Sequence, residues 1–207
     1  MDEFPEFDKR VIESLRQPLE EGYVHVSRAK GSERFPAEFI LIAAMNPCPC
    51  GYFGDTKKPC VCVPQALSRY QRKISGPIID RIDLWIEVPR LAHETLSPGK
   101  KNKEATLLVQ FQKDVARARA HQEKRFAGTA ITSNAKMSVH ALDKFTKLDD
   151  AVGTVLNESA KRLDLSPRAY HRIIKLARTI ADLDESRHIK SDHILEALQY
   201  RPKRLFA

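Results

Sequence analysis

Long apolar segments are absent from this 207-residue sequence, and cysteine is absent from most of it. No apolar run approaches the roughly 18 to 20 residues that a membrane-spanning helix needs, so we expect no membrane partner. The first residues, Met-Asp-Glu-Phe-Pro, lack a basic segment followed by an apolar one, so we expect no signal peptide and a cytoplasmic protein. In such a reducing compartment disulfide bonds are not expected.

Charged and apolar residues are plentiful, at 30% and 42% of the chain, which is enough for a soluble protein with one large domain or two small ones. The net charge of +8 is uneven. Residues 1–90 hold 13 basic and 13 acidic side chains, whereas residues 91–207 hold 22 and 14. The basic half permits contacts with nucleic acid or nucleotide phosphates, although solvated helix faces explain it more simply.

The first 90 residues show the pattern of alternating helices and strands. Apolar residues at helical spacing predict a helix from about Phe7 that ends near Arg16, before Pro18. Alternation over residues 23–29 and a Lys-Gly turn predict a hairpin. The continuous apolar run at 39–45 predicts a strand buried on both faces of a parallel sheet, and residues 83–88 predict a second strand. We therefore predict a partial α/β domain over residues 1–90.

The remainder of the chain is predicted to be helical. Residues 91–103 have the composition of a linker, and apolar stripes at helical spacing continue through residues 104–207. Ser166 followed by Pro167 is a strong helix start, and Ser191 is expected to cap a last helix. The second domain is therefore predicted to be all-α.

Four cysteines form two C-x-C pairs, Cys48-Pro-Cys50 and Cys60-Val-Cys62, separated by nine residues. Four thiolates on one short loop complete the tetrahedral shell of a structural zinc ion and leave no open position for catalysis. The spacing is not the commoner C-x2-C, so disulfides and buried free thiols remain alternatives. We predict a structural metal, with zinc as the expected ion.

An ordered set of short strings gives a more specific indication than any one of them alone. The strings are DEFPEF at 2–7, LRQPLE at 15–20, LIAAMNPCPCG at 41–51, GPIIDRIDL at 76–84 and LSPRAYHR at 165–172. In this order they resemble the magnesium-chelatase-like AAA+ ATPases of the ComM/YifB type, over residues 1 to about 200 and less closely over 91–135.

The resemblance implies a nucleotide site at the start of the chain. Asp2 would be the Walker B aspartate that holds the Mg²⁺ of Mg-ATP, and Glu3 would orient the attacking water. Asn46 matches sensor 1, whose amide reaches the γ-phosphate or that water. Without the family context, Asn46 would be read as a turn residue before Pro47.

Two arginines match further positions of the family. Arg81 would be the arginine finger, supplied to a neighbouring subunit's nucleotide, and its alternative is an ion pair with Asp80 or Asp83. Arg168 would be sensor 2, in the first turn of the helix after Ser166. Arg172, one turn further on, would share that role or be solvated.

The family's phosphate-binding loop, G-x-x-x-x-G-K-[ST], occurs nowhere in the sequence. We therefore expect residues 1–207 to be the C-terminal part of a longer protein and to be inactive alone. The resemblance implies ATP hydrolysis coupled to remodelling of a macromolecule, with DNA as the expected substrate and a hexameric ring as the expected assembly. The alternatives are the ATPase subunit of a magnesium chelatase and a zinc-containing nucleic-acid-binding module that uses residues 166–183 as a recognition helix.

Overall fold

The computed structural model describes residues 1–28, 31–89 and 101–202, except for the side chains of residues 101–105. Within them the chain forms helices and one small sheet. In chain order the elements are α1 (Lys9–Ser14), α2 (Arg16–Glu21), β1 (Tyr23–Arg28), β2 (Gly31–Pro36), α3 (Pro64–Gln71), α4 (Gly76–Ile79), α5 (Lys101–Phe126), α6 (Val139–Phe145), α7 (Asp150–Arg162), α8 (Pro167–Leu183) and α9 (Ser191–Gln199).

Contacts along the chain define two compact units. The N-terminal unit comprises Met1–Ile82 with Pro202, and the helical unit comprises Asp83–Arg201. We predicted the boundary at 91–103, and residues 91–100 of that linker lie outside the described part of the chain. Helix α5 begins at Lys101, so the last three predicted linker residues are helical. No helix among the described residues is long and apolar enough to span a membrane.

The predicted hairpin is confirmed. Strands β1 and β2 pair antiparallel, with Tyr23 opposite Pro36 and Arg28 opposite Gly31. The turn at 29–30 lies outside the described residues.

The predicted parallel sheet is not confirmed. Among the described residues the only assigned sheet is the β1–β2 hairpin, and neither 39–45 nor 83–88 is a strand. The apolar side chains there are not covered, since Ile40 is 88% and Ile42 78% exposed. A strand buried on both faces needs neighbours on both edges and layers on both faces. In the part of the chain that the structure describes, residues 39–45 have a neighbour on one edge only, the first residues of the chain.

The helix predicted to end before Pro18 also differs in the structure. A break at Leu15 separates α1 from α2, and Pro18 is the third residue of α2. Proline is tolerated in a first turn because the amide it lacks has no intrahelical partner there. The proline therefore helps to start α2 instead of ending α1.

The helical unit is built around α8. Ser166 accepts a hydrogen bond from the Ala169 amide at 3.2 Å, which confirms the predicted N-cap. The apolar face of α8 packs against α5, α6 and α9. The largest fully buried side chains of the cluster include Met137, Leu156, Ile173 and Ile194.

An ionic network lies within this unit. The Asp182 carboxylate, 2% exposed, accepts hydrogen bonds from Arg125, from Asn134 Nδ2 at 2.8 Å and from Arg178 Nε at 3.2 Å. Burial acts to raise the pKa of Asp182, but the bonds from Arg125 and Asn134 and the charge of Arg178 outweigh it and hold the pKa below its usual value. The network therefore holds Asp182 as a carboxylate.

Candidate functional site

The start of the chain, which contains Asp2 and Glu3, lies beside the apolar segment 39–45 that precedes Asn46 in the N-terminal unit. The nitrogen of Met1 donates to the Ile42 carbonyl at 2.6 Å, and the Ala44 amide donates to the Met1 carbonyl at 2.9 Å. In parallel strands, one residue forms backbone hydrogen bonds with the two residues on either side of its partner. Met1 bonds in this way to Ile42 and Ala44, so its partner is Ala43. Both segments thus run in the same direction at this point.

Asp2 and Glu3 follow the paired residue Met1, and Asn46 follows the paired residue Ala43, in the same chain direction. The Phe4 amide donates to the Ala44 carbonyl at 2.9 Å, which extends the pairing beyond the acidic pair. Asn46 follows two residues after Ala44. The carboxyl ends of neighbouring parallel strands are where α/β proteins bind ligands. The backbone of Asp2, Glu3 and Asn46 therefore lies beyond the same end of the two paired segments.

Glu3 has an unusual backbone conformation. Its φ of 48° and ψ of 46° lie in the left-handed region, which residues other than glycine seldom adopt. Such a conformation costs about 1 to 3 kcal/mol, and strained residues cluster at functional sites. The Glu3 amide is held by Asp2 Oδ1 at 3.0 Å, and a 3₁₀ turn at Phe4–Glu6 follows.

Tyr70 holds the backbone of Asn46, a contact that the sequence did not indicate. Its hydroxyl donates to the Asn46 carbonyl at 3.0 Å from the last turn of α3. Burial raises the pKa of Tyr70, so the phenol stays protonated and remains a donor. The segment between Asn46 and α3 contains all four cysteines and is closed at its base by this bond.

The four cysteines converge. The Sγ atoms of Cys48, Cys50 and Cys60 lie 3.4 to 3.7 Å apart, and all four Sγ atoms, with that of Cys62, lie within 4.8 Å of one another. None forms a disulfide. With Zn–S bonds of about 2.3 Å, the sulfurs of a tetrahedral site lie about 3.8 Å apart.

The four cysteine sulfurs are therefore close enough to bind one metal ion as four thiolate ligands. Backbone amides that donate to the sulfur stabilise the thiolate of Cys50. The hydrogen bond from the Tyr52 amide is the main reason why the pKa of Cys50 falls to about 6. Burial is the main reason why the pKa of Cys62 rises to about 12. A bound cation would stabilise all four thiolates, as metal ligation requires. The left-handed φ of Gly51, 82°, turns the chain directly after Cys50.

Arg81 is buried in the N-terminal unit. It is 8% exposed, its Nη1 donates to the Pro77 carbonyl at 2.7 Å, and its Nε lies 3.0 Å from Glu20 Oε2. The pairing with Glu20 was not predicted, because the sequence suggested Asp80 or Asp83. Its role as a trans-acting finger stays a prediction.

The two arginines of α8 differ in their surroundings. Arg168 is exposed at the second position of the helix. Arg172 is half-buried and pairs with Asp83, so it is not simply solvated. The recognition-helix alternative is not supported, because α8 is the central helix of its unit and its Arg178 is buried against Asp182.

Family models match both parts of the chain. The model described as magnesium chelatase, subunit ChlI, matches residues 1–96, and the model of the C-terminal part of the same subunit matches residues 109–201. The chain therefore belongs to the magnesium-chelatase-like AAA+ family of the ComM/YifB type.

Particular relatives agree with this assignment. The chain is similar to competence protein ComM of Haemophilus influenzae, with 41% identity over 201 residues, which is 97% of this chain and 38% of that protein. It is 37% identical over 205 residues to the uncharacterized protein YifB of Escherichia coli, covering 97% and 38% of the two chains. An uncharacterized Mycobacterium tuberculosis protein, Rv2897c, is 32% identical over 201 residues, covering 97% and 39%. The chain thus spans about two fifths of the length of these relatives.

Proposed function

We propose that this chain is the Walker B-to-C-terminal part of a ring-forming ATPase that couples ATP hydrolysis to remodelling of a macromolecule, with DNA as the substrate. One observation carries the proposal. The parallel pairing of Met1 with Ala43 means that Asp2, Glu3 and Asn46 follow the same end of two paired segments, and this arrangement supports a shared role in Mg-ATP hydrolysis.

Each residue has a distinct task in this proposal. The Asp2 carboxylate would help to hold the Mg²⁺ of Mg-ATP, which would stabilise negative charge on the phosphates, and Glu3 would accept a hydrogen bond from the attacking water and orient it. Asn46 donates its amide to the γ-phosphate or positions that water.

The arginines complete the proposal. Arg168 contacts the phosphates of the nucleotide, and Arg81 is supplied across a subunit boundary. The guanidinium group suits both tasks because it remains charged and binds two phosphate oxygens at once. Arg81 must exchange its ion pair with Glu20 for the neighbour's phosphate, so assembly of the ring is the step that would release it.

The DNA substrate is supported by similarity alone. The name of the Haemophilus relative indicates a role in competence, and DNA is the macromolecule that a competent cell takes up. We further propose that the four cysteines hold one structural zinc ion. It would fix the loop between Asn46 and α3, and no catalytic step passes through it.

The test uses the full-length protein in which these residues occur, in their present numbering. Glu3→Gln keeps the shape of the side chain and removes its basicity. We expect it to lower the turnover of ATP by about 10² to 10⁴, the usual contribution of a positioned base, while Mg-ATP still binds.

Glu21→Gln is the matched control. Glu21 is an exposed carboxylate at the end of α2, outside the proposed site, and its loss is expected to leave turnover within a few-fold of the wild type. An equal effect of the two substitutions, or full activity of Glu3→Gln, would show that Glu3 does not act on the water.

A further inference from the structure

A basic cavity of about 290 Å³ lies in the N-terminal unit between the start of α1 and the end of α3. Lys9, Arg69, Arg72 and Lys73 line it, and Glu6 is the only carboxylate among its lining residues, so the lining carries a net charge of +3. The clustering is local, because residues 1–90 as a whole are balanced at 13 basic and 13 acidic side chains.

The carboxylate is already neutralised. Lys73 Nζ lies 2.6 Å from Glu6 Oε2, which leaves three other cations at the cavity. Lys9, Arg69 and Arg72 are exposed and have no ion pair with a carboxylate in the described part of the chain. Arg69 and Arg72 are three residues apart and lie on one face at the end of α3. Guanidinium groups so arranged favour phosphate oxygens.

An aromatic ring shares the cavity with these cations. Phe7 lines it and remains 41% exposed, although Phe4, three residues earlier, is buried. An exposed ring beside several cations is the combination by which proteins bind single-stranded nucleic acid, since the ring stacks on a base and the cations hold the backbone. In a duplex the base faces are stacked on one another and are not free for such a ring.

We propose that this cavity binds one nucleotide of a single strand of nucleic acid, with the base on Phe7 and the phosphates on Arg69, Arg72 and Lys9. The volume of about 290 Å³ lies just below the range for small-ligand pockets, about 300 to 1,000 Å³, and so leaves room for no more than one nucleotide. The inference rests on the proposed function in one respect, because it names a contact with the DNA that the ATPase would remodel.

The test measures the binding of a fluorescently labelled oligothymidylate to the 207-residue chain by anisotropy, between 50 and 200 mM salt. The double substitution Arg69→Gln, Arg72→Gln removes two phosphate contacts. The negative slope of log affinity against log salt should become shallower by about 1.4, because each contact with a single strand contributes about 0.7.

The control removes the same charge elsewhere. Lys161→Gln, Arg162→Gln changes two exposed cations at the end of α7, in the helical unit, and should leave the slope unchanged. Phe7→Leu keeps an apolar side chain and should weaken binding by about 5- to 150-fold through lost stacking, with an unchanged melting temperature.

Three results would overturn the proposal. They are an absence of oligothymidylate binding at 50 mM salt, equal losses in the cavity and control variants, and equal competition by a duplex of the same length. Hydrolysis by the Glu3 variants is measured without nucleic acid. The two proposals can therefore fail separately.

Discussion

Asp182→Asn tests whether the network around Asp182 stabilises the helical unit. The substitution keeps the shape of the side chain and removes its charge. It leaves the Arg178 guanidinium, 3% exposed, without its anion, although Arg178 still donates to the carbonyls of Ser186 and Arg187 at 2.6 and 3.0 Å. Removal of one partner from a buried ion pair costs about 3 to 5 kcal/mol, and we expect a loss in this range.

Urea unfolding followed by circular dichroism at 222 nm measures this loss, because most of the helix lies in the helical unit. Glu158→Gln, an exposed carboxylate on α7, is the control and should change the free energy of unfolding by less than about 0.5 kcal/mol. A loss below about 1 kcal/mol for Asp182→Asn would refute the reasoning.

The pH dependence gives a second check on the same residue. The pKa of Asp182 is lowered in the folded state, so its stabilising contribution is complete above the unfolded pKa, about 3.9, and is lost as the pH falls through the folded value. The difference in stability between wild type and Asp182→Asn should therefore be constant near neutral pH and shrink below about pH 4. A difference that grows on acidification would contradict the assigned sign.

Further predictions concern the metal and Arg81. Elemental analysis after dialysis should give one zinc per chain, and Cys60→Ser should lose it while the α5–α9 helices stay folded; a folded, metal-free wild type with four titratable thiols would contradict this. Arg81→Ala should destabilise the protein by about 1 to 3 kcal/mol, because it leaves Glu20 without that partner, whereas Arg168→Ala, at an exposed position, should not. In the full-length protein, mixing Arg81→Ala subunits with Glu3→Gln subunits should partly restore turnover, and mixing Arg168→Ala with Glu3→Gln should not. If mixed rings assemble and the Arg81 mixture stays inactive, Arg81 is not a trans-acting finger.

Features that depend on neighbouring residues could be predicted from the sequence. The hairpin followed from its alternation, and the start of α8 from the Ser166-Pro167 pair. The clustering of the cysteines followed from their spacing. The start of α9 was displaced by one residue, because Lys190 is the N-cap and its amide donates to His193 Nδ1 at 3.0 Å. No common capping pattern includes that histidine.

Features that depend on residues distant in sequence could not. The bond from Tyr70 to the Asn46 carbonyl and the ion pair of Arg81 with Glu20 join different elements and leave no spacing pattern. The prediction of a strand at 39–45 was not confirmed for a related reason. An apolar run indicates that a segment tends to be buried, but the neighbouring strands decide whether it becomes a strand. In the described part of the chain, residues 1–4 pair with one edge of this segment.

The most direct test of the central claim is a double-mutant cycle in ATP turnover by the full-length protein, with Glu3→Gln, Asn46→Ala and the double variant. If both residues act on one water at one edge, each single substitution removes most of the activity and the double variant is no slower than the slower single variant. Losses that multiply, or an Asn46→Ala variant with wild-type turnover, would show that the two residues do not form one site.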